Sequence, residues 1–278
     1  MARERISLKT DSEIMLMREA GLITAKALAA VRVAIKPGIS TFELDAIAEK
    51  TITDLGAKSN FKLVPGYSHT ICASINNEVV HGIPSRDRII QAGDIISIDC
   101  GAQTPAGWNG DAAFSYVVPG GDPEVSALRQ KVSDACEASL WAGIAKFASA
   151  VRLNEVGRAI EASIRQSGRY GILQDYIGHG VGRSMHEDPA VFNYQTRDLG
   201  PVIENGLVIA IEPMITAGSQ RVKVLADQWT VASVDGSDAS HWEHTVARHS
   251  GGIWVLTAED GGKAGLAKYG VTPVEPKL

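Results

Sequence analysis

Along the first quarter of the chain apolar residues recur at three- and four-residue intervals, the period of a helix with one buried face. Thr10 followed by Glu13 forms a capping box, and Ile14, Met17, Gly21, Thr24, Leu28 and Val31 then share a face. That predicts a long first helix, stopped by Lys36-Pro37-Gly38. Ser40 with Glu43 repeats the box ahead of Leu44, Ile47, Ile52 and Leu55, a second helix that Gly56 ends. Strands are predicted over 70–75, 94–100 and 111–118. Asp122-Pro123 reads as a cap and first-turn proline, opening a helix to about Phe147, with another from Asn154 to about Gln166. Strands return over 207–215, 229–233 and 242–248.

Helices and strands are segregated rather than alternating, which predicts an α+β fold with largely antiparallel sheet. Laying 44–56 over 156–168 matches Leu44 with Val156, Glu49 with Glu161, Ile52 with Ile164 and Gly56 with Gly168, as an internal duplication would. The glycines from Gly251 onward and the closing Pro-Val-Glu-Pro-Lys-Leu predict a tail that frays.

Composition narrows the function. At 278 residues and 45% apolar content the chain can bury a sizeable core, yet no run of 18 apolar residues suggests a bilayer span. The opening Met-Ala-Arg-Glu-Arg is polar where an export signal has its apolar stretch. With 27 basic against 32 acidic residues, a net charge of −5, nothing provides the basic footprint that nucleic acid needs. Cys72, Cys100 and Cys136 are too few for a disulfide framework and form no CxxC pair, so a reducing cytoplasm is expected. There is no HExxH, no phosphate loop and no GxSxG; Gly178-His179-Gly180-Val181-Gly182 begins like a dinucleotide loop, but Arg183 occupies the place of the last glycine.

Acidic residues inside apolar strands are the unusual feature. Asp99 ends Ile95-Ile96-Ser97-Ile98, Glu212 follows Val208-Ile209-Ala210-Ile211, and Glu243 lies between Trp242 and His244-Thr245-Val246. Buried carboxylates need partners. A hairpin centred on Pro105 would set Asp99 directly opposite Asp111, where like charges repel unless a cation intervenes; two loop-end aspartates capping turns is the plainer alternative. His179 and His186 lie in a glycine-rich segment and His81 precedes Gly82-Ile83-Pro84. Singly, each is an ordinary histidine. Together with Asp99, Asp111, Glu212 and Glu243 they suggest a site in which two divalent cations balance four carboxylates and one imidazole completes the ligands. Such oxygen-rich donors favour manganese, iron(II) or cobalt over copper, with zinc also admissible.

In order along the chain, VVHGIP at 79–84, IDCG at 98–101, NGDAAF at 109–114, GHGVGRSMHEDP at 178–189, IEPM at 211–214 and SHWEHTVA at 240–247 resemble the signature segments of type I methionine aminopeptidases in their short bacterial form. The resemblance runs from Ile6 to Leu256. It implies the pita-bread fold, a curved antiparallel sheet flanked by helices in two pseudo-symmetric halves (about 10–118 and 122–256) of one catalytic domain over 1–256, with 257–278 as a tail. It further implies that Asp111 and Glu243 are shared by two divalent metal ions, that Asp99 serves one, and that His179 and Glu212 serve the other. His81 and His186 would contact substrate and act with Glu212 in catalysis, and Tyr67, Cys72 and Trp229 would line a methionine pocket.

The implied activity is removal of N-terminal methionine from nascent proteins by a metal-bridged hydroxide, in the cytoplasm. Nascent chains and the ribosome would be partners, nucleic acid and membrane would not, and the chain would be a monomer. Ala112 and Ala113 stand where the family often carries hydroxylated residues, and Val64 and Met185 where aromatics are common. The interval 243 − 212 = 31 leaves no room for the type II insertion. Two competing functions are a non-catalytic peptide- or ribosome-binding protein on this fold, which would tend to lose metal ligands, and a prolidase-like X-Pro hydrolase, whose relatives carry a further N-terminal domain.

Overall fold

The computed structural model describes residues 6–277. Four helices carry the chain around the sheet: α1 (Asp11–Ala34), α2 (Thr41–Asp54), α3 (Pro123–Phe147) and α4 (Asn154–Ser167). Both predicted capping boxes are present, with Thr10 and Ser40 each accepting from the backbone of a glutamate that returns its side chain to the cap. Asp122 caps α3 by accepting from the backbone of Glu124 and Val125, with Pro123 in the first turn. A long helix followed by one of 14 residues therefore occurs twice.

A nine-stranded antiparallel sheet forms the centre, ordered 58–59, 95–103, 109–117, 243–249, 208–211, 178–180 and 187–191, with 71–75 added on 95–103 and 252–255 on 243–249. Two three-stranded sheets complete it: 239–241, 214–216 and 171–172 in one, and 222–224, 231–233 and 78–80 in the other. Leu28, Val31, Leu44 and Ile52 from α1 and α2 pack on Ile96, Ile98 and Phe114 of the sheet. Leu140, Ile144, Ile160 and Ile164 from α3 and α4 pack on Ile209, Ile211 and Val246. Each pair of helices thus covers one half of the sheet.

Three expectations change. The predicted strand over 207–215 is two strands, Val208–Ile211 in the large sheet and Met214–Thr216 in a small one, separated at Glu212-Pro213. Proline has no N–H for a ladder, so the chain leaves one sheet there and enters another. Its partner breaks in step: Ala239–His241 pairs with 214–216, while Glu243–His249 pairs with 208–211. Glu212 and Glu243 consequently stand where two sheets part.

The hairpin register also differs. Asp99 pairs with Ala113 and Asp111 with Gly101, because the turn is built on Thr104 to Gly107, where Gly107 takes φ 82° and its N–H donates to the Thr104 carbonyl. The shift relative to a hairpin centred on Pro105 is two residues, an even number that leaves every side chain on its predicted face. Asp99 and Asp111 are diagonal neighbours on one face rather than directly opposed.

Finally, the tail does not fray. Leu266 is buried in the core under α3, the Val274 N–H donates to the Ile253 carbonyl, and the Tyr269 hydroxyl donates to the Ala138 carbonyl. The remaining strands that the apolar pattern did not announce span two to five residues, too short for alternation to signal.

Candidate active site

The sheet aligns acidic side chains across its strands. Ala113 pairs with Asp99 on one side and with Glu243 on the other, so the two carboxylates flank a methyl group that leaves the space between them open. Asp111 lies two residues along the same strand and so on the same face. Its backbone is locked to the next strand: the Asp111 N–H donates to Thr245 Oγ1 at 3.0 Å, and the Thr245 hydroxyl donates to the Asp111 carbonyl at 2.7 Å. One residue beyond the His244–Ile211 pair comes Glu212, whose carbonyl accepts from Asn193 Nδ2 at 3.0 Å.

His179 arrives from the glycine-rich strand 178–180. A Cβ on Gly180 would lie 2.2 Å from the Asp188 carbonyl oxygen, so only glycine lets the chain pass. The His179 Nδ1–H donates to the Gly180 carbonyl at 2.9 Å, which turns Nε2 toward Glu212 Oε1, 3.4 Å away. A ring nitrogen held this way by backbone is the usual outer support of a metal-ligating histidine. His81 takes φ 60°, a strained conformation for a residue with a side chain, and Gly82 after it lies against the Ala73 carbonyl.

All ten residues singled out from the sequence line one cavity of about 150 Å³: Asp99, Asp111, His179, Glu212 and Glu243 at its acidic end, His81 and His186 beside them, and Tyr67, Cys72 and Trp229 on an apolar wall. The wall also contains Phe61, Val64, Val80 and Met185, of which Phe61 lies outside every segment singled out in the sequence and Val80 lies within VVHGIP without a role assigned to it there. Tyr67 lies 5.0 Å from Trp229 between ring centroids and donates to the Ile71 carbonyl at 2.7 Å, leaving its ring toward the pocket. Asp45 holds the strand that carries Cys72, accepting from the N–H groups of Thr70 and Ile71 at 2.7 and 3.0 Å.

Asp111 and Glu243 are only 3% and 2% exposed, and Asp99 and Glu212 are also buried. Among the described residues, the ion-pair partners of these four are histidines, His179 and His241, and no lysine or arginine. Asp99 Oδ1, Asp111 Oδ1 and Glu243 Oε1 have no hydrogen-bond partner. Burial pushes Asp99 up to about 7, and burial first, then mutual repulsion, pushes Asp111, Glu212 and Glu243 well above the carboxylate range. Burial lowers His179 to about 3 and His81 to about 4, with His186 adding to both, so these imidazoles are neutral and offer lone pairs. Neutral nitrogen beside orphaned carboxylate oxygen is a cation-binding donor set.

Two trios meet the spacing that one ion requires: Asp111, His179 and Glu243, and Glu212, His241 and Glu243. Glu243 belongs to both. Asp99 falls outside the trios yet lines the same cavity. His241 was missed in the sequence; its position two residues before Glu243, on the same face of an extended strand, was the available signal.

Residues 15–249 match metallopeptidase family M24. The chain is 44% identical over 260 residues to methionine aminopeptidase 1 of Mycobacterium tuberculosis, covering 92% of this chain and 96% of that protein. It is 43% identical over 252 residues to methionine aminopeptidase 1 of Bacillus subtilis, covering 91% and 99%. Among solved structures, methionine aminopeptidase from Thermotoga maritima superposes with a TM-score of 0.86 at 38% identity, over 92% of this chain and all of that one. Prolidase from Pyrococcus furiosus, at 24% identity and a TM-score of 0.65, shares the fold, and the chain spans 65% of its length. The match to the family over residues 15–249, with 43–44% identity across more than nine-tenths of the chain, makes it a member of metallopeptidase family M24 and, within it, of the methionine aminopeptidases.

Proposed function

We propose that the chain removes N-terminal methionine from nascent polypeptides, using Asp99, Asp111, His179, Glu212 and Glu243 to hold two divalent metal ions. The observation that carries this reading is a single cavity with unpartnered carboxylates at one end and an apolar wall at the other. Glu243 and Asp111, which stand together with His179 in one donor trio, are the proposed shared ligands. When bound, the ions would lower the pKa of water toward neutrality and polarise the scissile carbonyl.

The protein's own residues do the rest. The wall of Tyr67, Cys72 and Trp229, with Phe61 and Met185, takes an unbranched apolar side chain and excludes water around it. His81 and His186, held neutral by burial, each supply one N–H and one lone pair to the peptide bond being cut. Glu212 takes the proton from the nucleophilic water and returns it to the leaving amine. Manganese, iron(II) or cobalt suit the oxygen-rich donors best. The free, buried Cys72, Cys100 and Cys136 support a reducing compartment, where nascent chains emerging from the ribosome would be the substrate.

The test is to strip the protein with chelator, restore manganese, iron(II) or cobalt singly, and follow Met-Ala-Ser, Met-Lys and Ala-Pro peptides by mass spectrometry. Loss of methionine from Met-Ala-Ser only after restoration is expected. Cleavage of Ala-Pro instead would favour an X-Pro hydrolase, and metal-replete protein that binds the peptides without cutting them would favour a non-catalytic binder.

A further inference from the structure

His241 ends the strand 239–241, paired with Met214 just after the break at Glu212-Pro213. Its imidazole is 1% exposed, and neither ring nitrogen has a hydrogen-bond partner. Buried polar atoms in that state are rare and call for an explanation. The backbone that carries the ring is fixed: the His241 backbone N–H donates to Ser115 Oγ at 3.0 Å, and the Ser115 hydroxyl donates back to the His241 carbonyl at 3.0 Å, within a buried cluster that includes Ser97 and Ser240. Its Nε2 is aimed at the acids, 3.6 Å from Glu212 Oε2 and 3.9 Å from Glu243 Oε2.

Glu212 therefore has an imidazole at each oxygen, His179 at Oε1 and His241 at Oε2. The two differ in access. His179 lines the cavity and has its Nδ1 proton committed to backbone, so its Nε2 presents a lone pair to the open space. His241 does not line the cavity; it stands behind the carboxylates. Both near neighbours of its Nε2 are carboxylate oxygens, which only accept when ionised. A neutral imidazole satisfies them by carrying its proton on that nitrogen.

We propose that His241 is a positioning residue of the metal centre, its Nε2–H donating to Glu212 Oε2 and so fixing Oε1 on the side of His179. The assignment rests on Glu212 and Glu243 being metal ligands. Outer partners of this kind typically change metal affinity by about 10–100-fold when lost.

Two measurements on the full-length protein test it. Calorimetric titration of chelator-treated protein with Mn²⁺ should show affinity falling about 10–100-fold in His241→Leu and returning to within about threefold of wild type in His241→Gln, whose amide restores an N–H. Nitrogen-15 spectra of the zinc-loaded wild type should show the His241 Nε2 still bearing its proton. Wild-type protein that binds no Mn²⁺ would overturn the site reading and this assignment with it. Tight wild-type binding with unchanged affinity in a folded His241→Leu would overturn His241 alone. So would a deprotonated, metal-bound Nε2 in the spectrum, which needs no variant and decides the matter if His241→Leu fails to fold.

Discussion

His179 and Glu212 meet across the sheet with Nε2 3.4 Å from Oε1, while the opposite nitrogen of the ring donates to the Gly180 carbonyl. The backbone thereby chooses the tautomer, and the lone pair is left facing the acid. A carboxylate so placed can ligate an ion and exchange a proton, and the two roles separate experimentally.

Glu212→Gln keeps one ligand oxygen and nearly the same shape but cannot accept a proton. Turnover should drop by about 10²–10⁴, with circular dichroism unchanged. If turnover at saturating metal recovers above about a tenth of wild type, outside that range, Glu212 is a ligand only and the proton passes through His81 or His186.

Metal-free protein should respond to pH through Asp99. Burial pushes its carboxyl up to about 7, so the folded state holds this proton more tightly than the unfolded chain does. The stability it contributes is full below the unfolded value, about pH 4, and is lost as pH rises toward about 7. Chelator-treated Asp99→Asn should therefore gain melting temperature relative to wild type across that window; a constant difference would contradict the buried, protonated state.

Mn²⁺ must displace those protons, so its apparent affinity should climb as pH rises through the same range, with proton release measurable in buffers of different ionisation enthalpy. Near neutral pH, Mn²⁺ at 100 times its dissociation constant adds about 2.7 kcal/mol, roughly 5–10 °C for a chain of this size. A melting temperature indifferent to chelator and metal would refute the two-ion reading.

The pocket wall predicts selectivity for unbranched side chains. Methionine and norleucine should both be removed, norleucine more slowly, since a difference of this size is worth about 1–3 kcal/mol. Valine branches at Cβ and would collide with the wall that Tyr67 and Trp229 form, and should be released far more slowly. Equal rates for valine and methionine would remove these residues from the specificity pocket.

Away from the site, Leu153 provides no side-chain acceptor at the start of α4, and Glu155 compensates by accepting from the N–H groups of Val151 and Arg152 at 3.0 and 2.9 Å, beside Lys146. The Arg152 N–H first, then Lys146 and the Val151 N–H, hold its carboxyl down to about 2. Its folded value lies below the unfolded one, so the contribution is present above the ordinary carboxylate range and is lost as pH falls through about 2. Glu155→Gln should melt about a few degrees lower at neutral pH. The gap should close in acid; a gap independent of pH would mean that packing, not charge, is at work.

Local chemistry along the chain determined a great deal. Thr10 with Glu13, Ser40 with Glu43, and Asp122-Pro123 set helix starts because caps act within four residues. The hairpin read from the turn residues around Pro105 put Asp99 and Asp111 on one face, and that survived a register error because the slip was even. Signature segments, each contiguous, marked seven of the residues that line the cavity, and the resemblance they carry pointed to Tyr67, Cys72 and Trp229 as well.

Tertiary structure decided what depends on distant partners. The register of 95–103 against 109–117 follows from the turn at Thr104 to Gly107, and the break at Glu212-Pro213 becomes a passage between sheets only because 239–241 and 243–249 part at Trp242 as well. Phe61 and Val80 join the pocket, and Leu266 anchors the tail, through contacts with residues far along the chain. His241 reads in sequence as one more polar residue just ahead of the strand predicted over 242–248. Only folding brings it behind Glu212, because the sheet crossing that places it there is long-range pairing, and no local period encodes which strand will lie beside which.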